Sequence, residues 1–193
     1  MSVIRTFIAI KASDEVRHRC TALIRTLSAG EIKATWTRAE NLHHTLNFLG
    51  DTADTQLPEV CRAIVRAAAS VDPFVLESVG VGAFPRIAAP RTVWVGAGTG
   101  AQAMIALHDA LNQELYEVGF AMEARRFQPH LTLGRIRKGG TQLDVLTARL
   151  DNNRDFLAGQ TSVTEVILFS SELEKGGPVY KLLARAPLGK PSL

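Results

Sequence analysis

Cysteine is scarce in this chain of 193 residues, and its scarcity excludes several classes of protein. Cys20 and Cys61 stand alone and far apart, so the sequence has no paired-cysteine metal or redox motif and no disulfide framework. We interpret both as buried or idle thiols of a protein that works in a reducing cytosol.

Long apolar runs are also absent. No stretch approaches the ~18 consecutive apolar residues that a membrane-spanning helix needs. The first ten residues lack the layout of a signal peptide, because their apolar stretch is short and Arg5 interrupts it. We therefore expect a cytoplasmic protein that does not contact a membrane.

A strong excess of one charge is missing as well. The chain has 22 Lys and Arg against 19 Asp and Glu, which gives a formal net charge of +3. This balance permits an anionic partner but is too mild for a protein that coats long nucleic acid. Apolar residues make up 46% of the chain, as is normal for a globular protein with a substantial core.

The most informative feature is a short pattern that occurs twice. Residues 43–46 read HHTL and residues 130–133 read HLTL, so two of only five histidines share one frame. On a strand, residues two apart project from the same face, which pairs each histidine with a threonine. A single such pattern is more often structural than catalytic, but two copies in matching contexts favour a functional site.

The other three histidines do not share this pattern. His18 and His108 fall in predicted helices and are expected at the surface. His44 alternates away from His43, toward the opposite face of its strand, and is expected to be a hydrogen-bonded packing residue.

Apolar periodicity and Gly/Pro punctuation predict an α+β fold. We expect a single bilobal domain over residues 1–193, with two pseudo-twofold-related lobes, each an antiparallel sheet with helices on its outer face, and an active-site cleft between them. The central lobe is predicted at roughly 42–120, and the terminal lobe at roughly 1–37 plus 130–193. The predicted helices are 14–27, 54–69, 101–118 and 143–157. The predicted strands are 3–10, 33–37, 42–49, 74–81, 92–95, 130–136, 163–170 and 179–186.

Two facing histidine and threonine pairs suit the hydrolysis of a phosphodiester, particularly a strained cyclic one. Histidine titrates near pH ~6.5, so one imidazole can act as base and the other as acid. Threonine hydroxyls can donate to the non-bridging phosphate oxygens. This scheme needs no metal or other cofactor, and two histidines without carboxylates are a poor site for a hard cation.

At these residues the chain resembles the two-histidine phosphoesterase superfamily, and within it the RNA 2',3'-cyclic phosphodiesterases, also called the 2'-5' RNA ligase family. The resemblance covers nearly the whole chain. It is carried by residues 5–10 (RTFIAI), 36–50 (WTRAENLHHTLNFLG), 84–86 (FPR), 90–91 (PR) with Trp94, 127–135 (FQPHLTLGR), and 170–173 (SSEL) with Tyr180.

The resemblance implies metal-independent opening of RNA 2',3'-cyclic phosphate ends to 2'-phosphate ends. His43 and His130 take the catalytic roles: His130 activates water and His43 protonates the departing 3'-oxygen. Thr45 and Thr132 take the phosphate-holding roles. Arg135 matches an arginine that contacts the phosphate, although strict alternation would turn it away from Thr132, so we expect a twist or bulge at Gly134.

One position departs from the family pattern. The family usually has an aliphatic residue where this chain has His44, and the polar ring needs a partner. It could also perturb the neighbouring His43.

Other residues near the two signatures have weaker assignments. Five basic residues could steer RNA phosphates or could form a solvated rim: Arg38, Arg125, Arg126, Arg137 and Lys138. Phe48 and Trp36 could stack a terminal base, although core packing is the expectation.

Three alternatives remain open, and the partner expected in the first two is an RNA end. The same site could join RNA ends through a 2'-5' linkage without ATP, or it could bind RNA ends without catalysis. It could also act on a small cyclic nucleotide or on ADP-ribose cyclic phosphate. We expect a monomer.

Overall fold

The structure is a computed structural model that describes residues 2–137, 142–175 and 177–190. Lys138 and Gly176 lie outside these residues. The described helices are α1 (Asp14–Ser28), α2 (Leu57–Ala68), α3 (Ala101–Glu117) and α4 (Leu143–Asn152). The described strands are β1 (Val3–Lys11), β2 (Ala34–Trp36), β3 (His43–Ala53), β4 (Phe74–Phe84), β5 (Thr92–Ala97), β6 (His130–Ile136), β7 (Leu157–Val163), β8 (Glu165–Glu174) and β9 (Gly177–Pro187).

The strands form one curled antiparallel sheet in the order β7-β4-β5-β6-β3-β1-β8-β9, with β2 paired to β6. The two strands that carry the repeated pattern, β3 and β6, lie at its centre. Three further strands continue the sheet on each side, which gives the expected pseudo-twofold arrangement. The predicted α+β class and antiparallel pairing are therefore confirmed.

Each half of the sheet is covered by two helices, on one face. The half made of β3, β1, β8 and β9 packs its apolar residues against α2 and α3. The half made of β6, β5, β4 and β7 packs against α1 and α4. Burial of these two apolar layers is the main stabilising contribution to each half.

The residues of the two halves differ from the predicted division into a central lobe at 42–120 and a terminal lobe at 1–37 plus 130–193. The chain crosses between the halves: β1 pairs with β3, whereas α1, which follows β1, packs against the other half. Likewise β4 and β5 pair with β7 and β6, while α3, which follows β5, packs beside α2. Hydrogen bonding between β1 and β3 and between β5 and β6 thus joins strands that the predicted division assigned to different lobes.

Local sequence explains where α1 begins, whereas tertiary pairing decides the region after α4. Ser13 caps α1, since its hydroxyl accepts a hydrogen bond from the Val16 amide and donates one to the Gln160 carbonyl. α4 ends at Asn152, earlier than predicted, and is followed by β7, which was not predicted. Ala158 and Gly159 have little strand propensity, so pairing with β4 rather than local preference places β7 in the sheet.

His108 is buried, contrary to its expected place at the surface. Its side chain is 2% exposed, its Nδ1–H donates to the Leu46 carbonyl at 3.0 Å, and its ring stacks on Phe127 with centroids 4.1 Å apart. A histidine with one satisfied ring nitrogen and an aromatic partner packs in a helix–sheet interface as a flat amphipathic ring. His18 is exposed on α1, as predicted.

No helix within the described residues is both long and apolar enough to span a membrane.

Candidate active site

The repeated pattern places four side chains on the open face of the sheet. Along β3, His44 and Leu46 are buried while His43 and Thr45 are half-buried, and β6 repeats this alternation. The two strands pair at a single position, His44 opposite Leu131. His43, Thr45 and Thr132 therefore line one cleft of about 330 Å³. We call it the central cleft.

Both predicted catalytic imidazoles are held in the same way. The Nδ1 atom of His43 lies 2.6 Å from the Asn41 carbonyl, and that of His130 lies 2.8 Å from the Gln128 carbonyl, two residues earlier in each case. Because a carbonyl oxygen can only accept, the proton of each neutral ring is on Nδ1. The Nε2 atom of each neutral ring then carries a lone pair that can accept a proton.

Thr45 lies beside the free nitrogen of His43. The two atoms, Thr45 Oγ1 and His43 Nε2, are 3.0 Å apart, so the hydroxyl donates to the ring nitrogen. A bound phosphate oxygen could take over this hydroxyl donor. Thr45, two residues after His43, thus lines the same cleft as His43, on the face that the spacing predicts.

Aromatic rings flank both histidines. Phe7 lies 5.0 Å from the His43 ring and Tyr180 meets that ring edge-on at 5.4 Å. Phe84 meets the His130 ring edge-on at 5.1 Å. His130 is not among the residues that line the central cleft, although Thr132 on the same strand is. These rings restrict each imidazole to one orientation and exclude water from its sides.

The electrostatic environment keeps both imidazoles neutral in the unliganded protein. The pKa of His43 is lowered to about 4, mainly by burial; the Asn41 carbonyl opposes this shift, and the charge of His130 contributes to it. Burial also lowers the pKa of His130, with a smaller lowering contribution from Arg135. The two rings are close enough for a proton on His130 to disfavour one on His43.

Arg135 lies in the central cleft with Thr132, as the resemblance implies. Along β6, Thr132 pairs with Trp94 and Gly134 with Val93, so Leu133 is the extra residue of a bulge. The bulge is one position earlier than predicted, and it reverses the alternation after Leu133. That reversal brings the Arg135 guanidinium to the same face as Thr132.

Gly134 is needed for a different reason from the one predicted. A Cβ at this position would lie 2.6 Å from the Trp36 ring and 3.2 Å from the Thr35 carbonyl. The absence of a side chain therefore allows Trp36 to pack flat over β6 at the wall of the cleft. Trp36 combines core packing with a cleft-lining position.

His44 packs in the core beneath the site, as predicted. It is fully buried, and its Nε2 lies 3.1 Å from the Ser78 hydroxyl on β4. Burial, followed by repulsion from His43 and His130, lowers its pKa to about 3. His44 is thus a neutral ring that joins β3 to the other half of the sheet.

Phe48 is not a core residue, contrary to expectation. Its side chain is 67% exposed, and its ring lies 6.0 Å from Phe7. It borders a small cavity of about 140 Å³ with Arg5, His43 and Tyr180. β3 is bulged at Leu46 and Leu49 against β1, so simple alternation fails near Phe48.

Sequence reasoning did not assign a site role to Tyr180 or Asn41. Tyr180, on β9, borders both the central cleft and the small cavity at Phe48. Burial raises its pKa, while Arg135 and Arg5 lower it. The Asn41 side chain donates to the Pro178 carbonyl at 2.8 Å, which fixes the carbonyl that orients His43. The sequence signal for Tyr180 is the family resemblance at residues 170–173 (SSEL) and at Tyr180 itself.

The basic residues near the signatures do not all face the site. Arg38 and Arg135 line the central cleft. Arg137 bonds to the Thr35 hydroxyl at 3.1 Å, and Arg125 and Arg126 are exposed in the segment before β6. Within the residues that the structure describes, no group of three or more His, Cys, Asp or Glu side chains could hold a metal ion.

Comparisons with known proteins agree with this architecture. The sequence model of the 2'-5' RNA ligase superfamily matches residues 12–174. The RNA 2',3'-cyclic phosphodiesterase of Thermotoga maritima is 32% identical over 93% of this chain and 92% of its own. The enzyme of that name from Aeropyrum pernix is 38% identical over 75% of this chain and 80% of its own.

Solved structures give the same result. The TT0787 protein of Thermus thermophilus superimposes with a TM-score of 0.81 at 26% identity, over 98% of this chain and 100% of its own. E. coli LigT, solved with 3'-AMP, superimposes with a TM-score of 0.75 at 25% identity, over 97% of this chain and 99% of its own. The fold and the doubled histidine pattern define a phosphoesterase-type scaffold. The chain belongs to the 2'-5' RNA ligase superfamily.

Proposed function

We propose that this protein hydrolyses RNA 2',3'-cyclic phosphate ends to 2'-phosphate ends by general acid–base catalysis. The observation that carries the proposal is the matched pair of imidazoles on adjacent central strands, each with Nδ1 on a carbonyl and Nε2 available. The names of the curated relatives support a cyclic phosphate of RNA as the substrate.

In the proposed reaction His130 and His43 act on opposite sides of one phosphorus atom. His130 Nε2 takes a proton from water as the water oxygen bonds to phosphorus. The bond from phosphorus to the 3'-oxygen breaks, and His43 gives that oxygen its proton. The products are a 2'-phosphate and a 3'-hydroxyl. At the end of the reaction His130 has gained one proton and His43 has lost one.

The roles require His43 to be protonated when substrate is bound. In the unliganded protein burial opposes this, because it lowers the pKa of His43 to about 4. A negatively charged phosphate beside the ring favours the imidazolium and raises that pKa. We therefore propose that substrate binding itself favours the protonated form of His43, which then acts as the acid.

Three further side chains are positioned to hold the phosphate. Thr45, Thr132 and Arg135 line the central cleft together. Two hydroxyl donors and a guanidinium can bind the non-bridging oxygens and stabilise the charge that grows on them. Phe48, exposed at the neighbouring small cavity, offers a surface on which the terminal base can stack.

The test is hydrolysis of an RNA oligonucleotide that ends in a 2',3'-cyclic phosphate. We expect His43→Ala and His130→Ala each to lower kcat by roughly 10²–10⁴, the usual contribution of a general acid or base. His18→Ala, which changes an exposed histidine on α1, is the matched control and should keep wild-type turnover. Near wild-type turnover in either cleft variant would contradict the mechanism.

Product analysis in the same assay tests the two assigned roles. A 2'-phosphate product fits protonation of the 3'-oxygen by His43. A 3'-phosphate product would reverse the roles of the two histidines, because the proton would then go to the 2'-oxygen.

RNA end joining is a second candidate function, because the family description itself names 2'-5' RNA ligation. In this reaction a 5'-hydroxyl replaces water: His130 takes its proton, the 5'-oxygen bonds to phosphorus, the bond to the 3'-oxygen breaks, and His43 protonates that oxygen, which leaves a 2'-5' linkage. It should become measurable at high concentrations of RNA ends, and His43→Ala and His130→Ala should abolish it together with hydrolysis.

A further inference from the structure

A second cavity adjoins the central cleft on the other side of His43. It has a volume of about 290 Å³ and is lined by the end of β1 and by residues of β8 and β9. The two cavities share Arg38, Asn41, His43 and Tyr180, so they adjoin each other. We call it the upstream cavity.

The upstream cavity is basic. Lys11, Arg38 and Arg185 line it, against a single carboxylate from Glu40. Arg185 is paired with Glu165 at 2.6 Å, outside the lining. Lys11, opposite His43 in the β1–β3 register, has no carboxylate partner among the described residues. An uncompensated ammonium beside a cleft favours an anionic ligand.

Part of this cavity is apolar. Ile167, Phe169 and Leu182 form one wall, and Leu182 is 45% exposed. A cation together with an aromatic and aliphatic wall matches the two parts of a nucleotide, its phosphate and its base.

We infer that the upstream cavity binds the nucleotide that precedes the terminal one, with Lys11 on the phosphodiester between the two. This inference rests on the proposed function. A terminal cyclic phosphate held at Thr45, Thr132 and Arg135 leaves that diester as the next negative charge along the RNA. Lys11 and the shared Arg38 are the cations next to the site on this side. The protein therefore selects RNA ends over free cyclic nucleotides.

The experiment compares two substrates: a dinucleotide with a terminal 2',3'-cyclic phosphate, and the nucleoside 2',3'-cyclic phosphate that lacks any 5'-phosphate. We expect the wild type to favour the dinucleotide by about tenfold or more in kcat/KM, mainly through KM, as fits one charge-assisted phosphate contact plus base packing. Lys11→Gln should lower kcat/KM for the dinucleotide at least fivefold more than for the nucleoside, and should make the dinucleotide less sensitive to salt.

Lys181→Gln is the matched control. It removes a lysine on β9 that is paired with Glu172 and lies outside the lining of these cavities. It should leave the preference for the dinucleotide intact.

Equal kcat/KM for the two substrates in the wild type, or equal losses for both in Lys11→Gln, would overturn the inference and leave the proposed function standing. Hydrolysis of neither substrate would overturn the proposed function. In that case calorimetry tests the upstream cavity alone, with a dinucleotide 2'-phosphate and a mononucleoside 2'-phosphate as ligands. Tighter binding of the dinucleotide, weakened by Lys11→Gln, would support the inference about the cavity. Equal binding of the two ligands would contradict it.

Discussion

At the scale of single residues, the chain uses its histidines in three different environments. His18 is exposed on α1. His43 and His130 each give Nδ1 to a backbone carbonyl, which leaves Nε2 available. His108 and His44 are buried, and a ring nitrogen of each makes a hydrogen bond in the core. Sequence pattern separates the first pair from the others, but it does not separate buried from exposed histidines on helices.

His44 makes the protein sensitive to acid. Its folded-state pKa of about 3 lies below the ~6.5 of an unfolded chain, so the unfolded state binds a proton first as pH falls. The stability it supports is fully present above pH ~6.5 and is lost as pH falls from there toward 3. His44→Leu should therefore flatten the decline of the free energy of unfolding between pH 7 and pH 5.

Urea unfolding of wild type and His44→Leu at both pH values measures this effect. At pH 7 the variant should be less stable by about 1–3 kcal/mol, because the buried Ser78 hydroxyl loses its partner. His44→Leu/Ser78→Ala should recover part of that loss. Identical pH dependence in wild type and variant would contradict the account of His44.

At the scale of elements, the two central strands are joined by little backbone pairing. β3 and β6 share one paired position, yet they carry all four residues of the doubled pattern. The segment before β3 adds support, since the Thr37 amide and hydroxyl both donate to carbonyls of β6, at 2.8 and 3.0 Å. This segment therefore ties the chain that leads into β3 to the middle of β6, next to Thr132.

Gly134 is the position at which this support can be tested. In Gly134→Ala the new Cβ would lie 2.6 Å from Trp36, so the ring must move. We expect a loss of about 1–3 kcal/mol in the free energy of unfolding, typical of overpacking, and a raised KM because Arg135 follows the same bulge. In a Trp36→Leu background the same substitution should cost less, which a double-mutant cycle of unfolding free energies measures. An equal cost in both backgrounds would show that Trp36 is not the obstacle.

At the scale of the whole molecule, the sequence predicts the fold class and the site better than it predicts the path of the chain. The doubled pattern gives the faces of β3 and β6 because alternation is a local property. Two other features depend on contacts between residues far apart in the sequence. One is the packing of α1 and α3 against the half of the sheet that does not contain the preceding strand. The other is the pairing that makes Ala158 and Gly159 part of a strand. Bulges in β3 and β6 changed the faces of Phe48 and Arg135, and a bulge depends on the partner strand.

The proposed reaction depends on two imidazoles that meet at one phosphate. Nuclear magnetic resonance of the histidine ring protons, titrated with a nucleoside 2'-phosphate, measures this directly. We predict that ligand shifts the signals of both His43 and His130 and raises the pKa of His43 from about 4, while the signal of the exposed His18 does not move. A ligand that binds but shifts only one of the two cleft histidines, or neither, would contradict the account.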